Sequence, residues 1–232
     1  MKNADESRHF FISDLLQQRE IVLTENSAAT PFISLMDFFV SEESKAPKRI
    51  TQPDVYRAVK DESKLRSAAV LLPITRHESH IESSLVLTVR SENLKSHAGQ
   101  ISLPGGTKEE RDDDEVATAL RESEEEIGLK AEHVEIIGRL GTLALPSGFI
   151  VSPIVGVIEN DLNFVAQPEE VADIFHAPLE LILDVDAYQK STVEFKGADR
   201  TILELHYEDY RIWGATAAIL YHLAREIARF KN

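Results

Sequence analysis

The pattern of apolar and polar positions changes character near residue 66. Before it, apolar residues recur at helical spacing around 10–23, 31–40 and 53–61, with Phe11, Leu15 and Leu16 in the first stretch and Ile33, Met36 and Phe39 in the second. Ser-, Thr-, Lys- and Pro-containing stretches such as 41–53 separate them and read as loops. No catalytic pattern lies here, so residues 1–66 are expected to form a helical extension that packs on the core or on a partner chain. From Ser67 onward, short apolar runs predict strands at 68–74, 84–90, 134–140 and 149–158. Between them 116–126 predicts a helix, with Val116, Ala119, Leu120 and Ser123 along one face. Residues 192–195 and 201–207 alternate as a hairpin would. Residues 213–230 predict a closing helix striped with Ile219, Leu220, Leu223, Ile227 and Phe230, with Trp213 packing that helix into the core. Strands and helices mix without regular βαβ alternation, which predicts an α+β domain around a mixed sheet over residues 67–232.

Charge narrows the function. Against 40 acidic residues stand 25 basic ones, a net charge of −15. Such a chain offers no broad basic surface, so nucleic acid is not an expected partner. If the substrate is an anion, a divalent cation is the natural local source of positive charge. The absence of cysteine removes disulfides, thiolate metal sites and cysteine nucleophiles. No apolar run approaches the roughly 18 residues of a membrane span, and the polar start has no secretory apolar region. Cytoplasmic residence, with no membrane partner, is the expectation.

The candidate chemistry lies in residues 97–129. Glu122 and Glu126, four apart, share one helix face, and Glu125 lies beside them. Like charges so spaced repel; the run is either a solvated charged face or a site for a hard cation such as Mg²⁺ or Mn²⁺. Arg121, four residues before Glu125, can orient it. Upstream, Pro104-Gly105-Gly106 is either a plain turn or a place where the Gly106 carbonyl adds another hard ligand. Gly128 is a good residue to end the helix, which puts the carboxylates in its last turns, where the helix dipole disfavours anions.

Taken together, residues 106–129 resemble the Nudix box, G-x5-E-x7-R-E-U-x-E-E-x-G-U with U a bulky apolar residue. The back half matches from Arg121 to Leu129, except that Ser123 holds the first U position. In the front half Asp112 replaces the glutamate, and the loop carries one extra residue. The stretch from Leu85 through Thr88-Val89-Arg90-Ser91, Leu94, His97-Ala98-Gly99-Gln100 and Leu103-Pro104-Gly105-Gly106 is similar to the element found upstream of the box in the coenzyme A pyrophosphatase branch. Further likeness lies in Ser147–Pro153, in Glu169-Glu170-Val171 through Pro178-Leu179, and in Ile212–Ala217, so the resemblance covers about residues 67–220.

The resemblance implies a Nudix fold, an α/β/α sandwich. It also implies a pyrophosphatase that uses Mg²⁺ or Mn²⁺ and cleaves coenzyme A or acyl-CoA to 3′,5′-ADP and a phosphopantetheine. Glu122 and Glu126 would be the core metal ligands by helical phase, Glu125 a further ligand or the base, with Gly106 beside them. Arg121 would orient the cluster, and Glu170 would sit where some family members place a catalytic carboxylate. Arg90 and His97, with Lys95 a weaker candidate, would hold substrate phosphates. The same enzyme class acting on ADP-ribose, NADH or a dinucleotide polyphosphate is the first alternative, and a non-catalytic ligand sensor the second. The extension is a candidate for homodimerisation.

Overall fold

The computed structural model describes residues 30–51, 62–77, 82–94, 97–195 and 197–231. The helices expected at 10–23 and 53–61, and Lys95, lie outside the described residues. In chain order the elements are α1 (Pro31–Val40), β1 (Arg66–Arg76), β2 (Ser84–Arg90), β3 (Ile101–Ser102), β4 (Gly105–Thr107), α2 (Glu115–Ile127), β5 (Glu135–Arg139), β6 (Leu143–Leu145), β7 (Phe149–Glu159), β8 (Val171–Pro178), α3 (Leu179–Leu183), β9 (Gln189–Phe195), β10 (Ala198–Tyr207), β11 (Tyr210–Trp213) and α4 (Gly214–Lys231).

The large sheet runs in the order β3-β2-β1-β7-β5, with β8 on β2, β4 on β1 and β6 on β7. β1 and β7 are parallel over their full lengths, from Arg66 beside Phe149 to Arg76 beside Glu159. Both strands are buried on two faces, which explains why they read as continuous apolar runs rather than alternating ones. The remaining pairings are antiparallel. β1 pairs with β2 at Ile74–Leu85 and with β4 at Ala68–Thr107 through Val70–Gly105. The two neighbours thus share one edge of β1, and the wedge between β2 and β4 is where the site forms.

One face of the sheet packs on α2 through Ala69, Leu71, Val86, Ile154, Ile158 and Val171 against Ala119 and Ile127. Val116 and Leu120 lie only partly buried at the rim of this cluster. The wholly enclosed residues of the helix are instead Thr118, Ala119, Ser123 and Ile127, with the buried Glu126 beside them. On the opposite face α1 rests where β5 carries Gly138: a side chain there would collide with the Phe39 ring. Phe38 meets Phe230 of α4 edge-on at 5.9 Å. A separate three-stranded antiparallel sheet, β11-β10-β9, meets the body where Phe175 stacks on Tyr210 at 3.8 Å, and α4, which follows β11, is tied to β3 by Thr216 Oγ1 donating to the Ile101 carbonyl at 3.0 Å. Trp213 ends β11 half-buried, with the Arg211 guanidinium 5.5 Å above its ring. It is not the core residue of the last helix that the sequence pattern suggested, because α4 begins one residue later.

Candidate active site

Local rules set α2 in place. Asp114 caps its first turn by accepting from the Ala117 N–H at 2.8 Å. Gly128, at φ 70°, ends it: the Gly128 N–H donates to the Glu124 carbonyl and the Leu129 N–H to that of Ser123. Two further carbonyls of the last turn are taken up by the following loop, Ile127 by the Val165 N–H and Glu126 by the Gln167 N–H. The carboxylate-bearing turn is therefore held at its backbone as well as by packing.

Glu126 points inward. Its side chain is 4% exposed, and Oε2 accepts from the Gly105 N–H at 3.0 Å. Arg90 Nη1 stands 3.9 Å from Oε1. Burial pushes the Glu126 carboxyl up to about 7, despite the Gly105 hydrogen bond and the Arg90 charge; Glu122 and Glu170 push it the same way. Burial also raises Glu122, opposed by Arg121 and reinforced by Glu125 and Glu170. Glu122 lies against Gly106, where a side chain would put its Cβ 2.5 Å from the carboxylate carbon. So Glu122, Glu126 and Glu170 stand close enough to oppose one another's charge.

Arg121 is the hub. Its Nε and Nη2 each stand 2.9 Å from Asp112, a bidentate grip on a carboxylate only 3% exposed. Nη2 also reaches the Thr107 carbonyl at 3.1 Å and Glu122 Oε1 at 2.9 Å, and Nη1 reaches Glu125 Oε2 at 3.0 Å. Asp112 further accepts from the Glu109 N–H and the Thr118 hydroxyl. The Arg121 guanidinium, with these donors, holds Asp112 well below the usual carboxylate range. The sequence reading pairs Arg121 with Glu125, and the two side chains meet at 3.0 Å. It recorded Asp112 only as a departure from a pattern and missed that this aspartate is the buried anchor. The one signal available was an acid nine residues before an arginine across a loop, which has no periodic meaning.

Glu170 occupies the turn before β8. Its carbonyl accepts from the Ser91 N–H at 2.8 Å, and its own N–H donates to Gln167. Gln167 thus ties Glu170 and Glu126 through one stretch of backbone. Arg90 ends β2, its Nε buried with no hydrogen-bond partner among the described residues. The 97–100 loop folds back on Arg90: the Gly99 N–H donates to the Arg90 carbonyl and the Arg90 N–H to that of Gln100, both at 3.0 Å. His97 is exposed at φ 60°, with Nδ1 2.8 Å from Gln100 Oε1.

Of the candidate residues, then, Glu122, Glu125, Glu126, Arg121, Gly106, Glu170 and Arg90 gather in the β2–β4 wedge, and His97 lies on the loop beside it. Among the described residues, no three His, Asp or Glu side chains converge on one point in this arrangement. Glu122 and Glu125 turn to arginines and Glu126 to a backbone amide. The donor chemistry nonetheless fits a divalent cation: all-oxygen, crowded, mutually repelling and partly desolvated. No described helix is long and apolar enough to cross a membrane.

The family model described as NUDIX domain matches residues 64–194. A protein of Photorhabdus laumondii described as "Uncharacterized Nudix hydrolase NudL" is 37% identical over 198 residues, 84% of this chain and 98% of that one. Its namesake in Yersinia pestis is 39% identical over 163 residues, 70% of this chain and 80% of that one. The solved structure of RenU, a Nudix hydrolase from M. smegmatis, covers 72% of this chain and 88% of its own, with 19% identity and a TM-score of 0.48.

Proposed function

The chain belongs to the Nudix hydrolase family, and we propose that it cleaves the pyrophosphate of coenzyme A or an acyl-CoA, releasing 3′,5′-ADP and (acyl-)4′-phosphopantetheine. Nudix hydrolases act on phosphoric anhydrides of nucleotide-derived small molecules and generally use divalent metal ions. The observation that carries the substrate reading is the fold-back of the 97–100 loop onto Arg90. It carries His97 on the loop next to Arg90, whose guanidinium stands 3.9 Å from Glu126, and such a pair suits the extra 3′-phosphate of a CoA-type nucleotide.

In this reading Glu122, Glu126 and Glu125, with the Gly106 carbonyl, hold Mg²⁺ or Mn²⁺. The bound ion would polarise phosphoryl oxygens and make a water easier to deprotonate. Where Glu125, the most exposed of the three glutamates, is not itself a ligand, it is the base that takes that proton, with Glu170 a further catalytic carboxylate. Arg121 keeps Glu122 and Glu125 apart and oriented. Arg90 and His97 bind substrate phosphate. Residues 1–66 are an extension of the hydrolase domain, and the protein works in the cytoplasm as a homodimer, which light scattering of the full chain would check.

The test is a substrate panel: CoA, acetyl-CoA, ADP-ribose, NADH and diadenosine polyphosphates, each with Mg²⁺ and with Mn²⁺, products read by mass spectrometry. Preferred release of 3′,5′-ADP from CoA or acetyl-CoA supports the reading. Preferred cleavage of another compound overturns the substrate and keeps the reaction. Tight binding with no product from any of them overturns the catalytic reading in favour of a sensor.

A further inference from the structure

Both oxygens of Glu125 are held by arginines from different parts of the chain. Arg121 Nη1 holds Oε2 from within the helix, and Arg111 Nη2 holds Oε1 from the preceding loop, each at 3.0 Å. The two arginines are not equivalent. Arg121 is 14% exposed and fixed by Asp112, Thr107 and Glu122. Arg111 is 61% exposed, and its other partner is Glu109, on its own loop, at 2.8 Å. Consecutive loop residues thus do opposite jobs: Asp112 turns in and anchors Arg121, while Arg111 turns out and closes over Glu125.

We propose that Arg111 is a displaceable latch, competing with the divalent cation for Glu125. The inference rests on the reading of Glu125 as a metal ligand. A cation that takes Glu125 competes with the two arginines for its oxygen lone pairs, and Arg111 is the one whose departure breaks no buried contact. Its pair with Glu125 is solvent-exposed, so its worth is that of a surface ion pair and the competition is gentle. The loop over 108–114 then responds to whether Glu125 is occupied by the ion, through a residue that is not itself an ion ligand.

A double-mutant cycle tests this with Mn²⁺ as the probe and no nucleotide present. Free Mn²⁺ is followed by its electron paramagnetic resonance signal over the full-length wild type, Arg111→Ala, Glu125→Gln and the double variant. The latch predicts that Arg111→Ala tightens Mn²⁺ binding about two- to fivefold in the wild-type background and leaves it unchanged in the Glu125→Gln background. An unchanged affinity on Arg111→Ala, with Glu125→Gln weakened, overturns the latch and leaves the ligand reading standing. Equal tightening in both backgrounds also overturns it, since that is merely the loss of a nearby positive charge. Wild-type Mn²⁺ affinity in Glu125→Gln alone overturns the ligand reading and the latch with it.

Discussion

Asp112 and Arg121 bury opposite charges in full hydrogen-bond contact, and what each does alone differs from what they do together. Asp112→Asn leaves a largely buried guanidinium without its bidentate partner, and the expected cost is about 3 kcal/mol of stability. The pH dependence has a definite sign. In the unfolded chain the Asp112 carboxyl protonates near its ordinary value of about 3.9, whereas in the fold it resists protonation to much lower pH. Below pH 5 the unfolded state therefore gains a proton that the folded state refuses, and this contribution is lost as the pH falls. Urea midpoints measured from pH 3 to pH 7 should fall on acidification in the wild type and fall less steeply in Asp112→Asn; parallel curves would contradict it. The adjacent glycines separate activity from stability in the same way. A methyl at Gly106 meets the movable end of Glu122, so Gly106→Ala should lose at least about tenfold in activity at a near-unchanged midpoint. A methyl at Gly105, where φ is 151°, meets the Ala69 carbonyl, so Gly105→Ala should lower stability by about 1–3 kcal/mol. Full activity in Gly106→Ala would remove Glu122 from the site. None of these contrasts is visible in Pro104-Gly105-Gly106 as letters, because they depend on what β1 and α2 bring against each glycine.

Among the elements, those whose own pattern was sufficient were readable in advance. β2 follows its apolar run, α2 its capped amphipathic stretch, and β9–β10 its alternation. β3, β4 and β6 were not, being two or three residues long and existing only because a longer neighbour supplies their partners. β8 was noticed only as a likeness, since Val171 to Pro178 alternates buried and exposed positions too irregularly to stand out. The same holds for the docking of α1: Phe39 announces an apolar face, but Gly138, a hundred residues on, decides where it rests. Gly138→Ala should therefore lower the melting temperature by several degrees, and Phe39→Ala in the same chain should recover part of that loss, because the clash disappears with the ring. Strictly additive losses in a thermal-melt comparison of the two single variants and the double would show that the two positions are independent.

For the molecule as a whole, the net charge of −15 sets the problem that the wedge must solve: an anionic substrate has to be held by a chain of its own sign. In the wedge Arg90 reaches Glu126, Arg111 reaches Glu125, and Arg121 reaches both Glu122 and Glu125. Arg90, Arg121 and the three glutamates, though not Arg111, were legible from the box and the element before it. The internal pairing of arginines with glutamates was not, because it depends on which face the 108–114 loop presents. Everything proposed for the wedge turns on whether these carboxylates support hydrolysis of the pyrophosphate of a CoA-type nucleotide. The most direct test follows 3′,5′-ADP released from CoA with Mg²⁺ or Mn²⁺ by wild type and by Glu126→Gln, a substitution that keeps an acceptor for the Gly105 N–H. Steady release by the wild type and at least about a hundredfold less by the folded variant are expected. Release at equal rates by both would contradict the proposal.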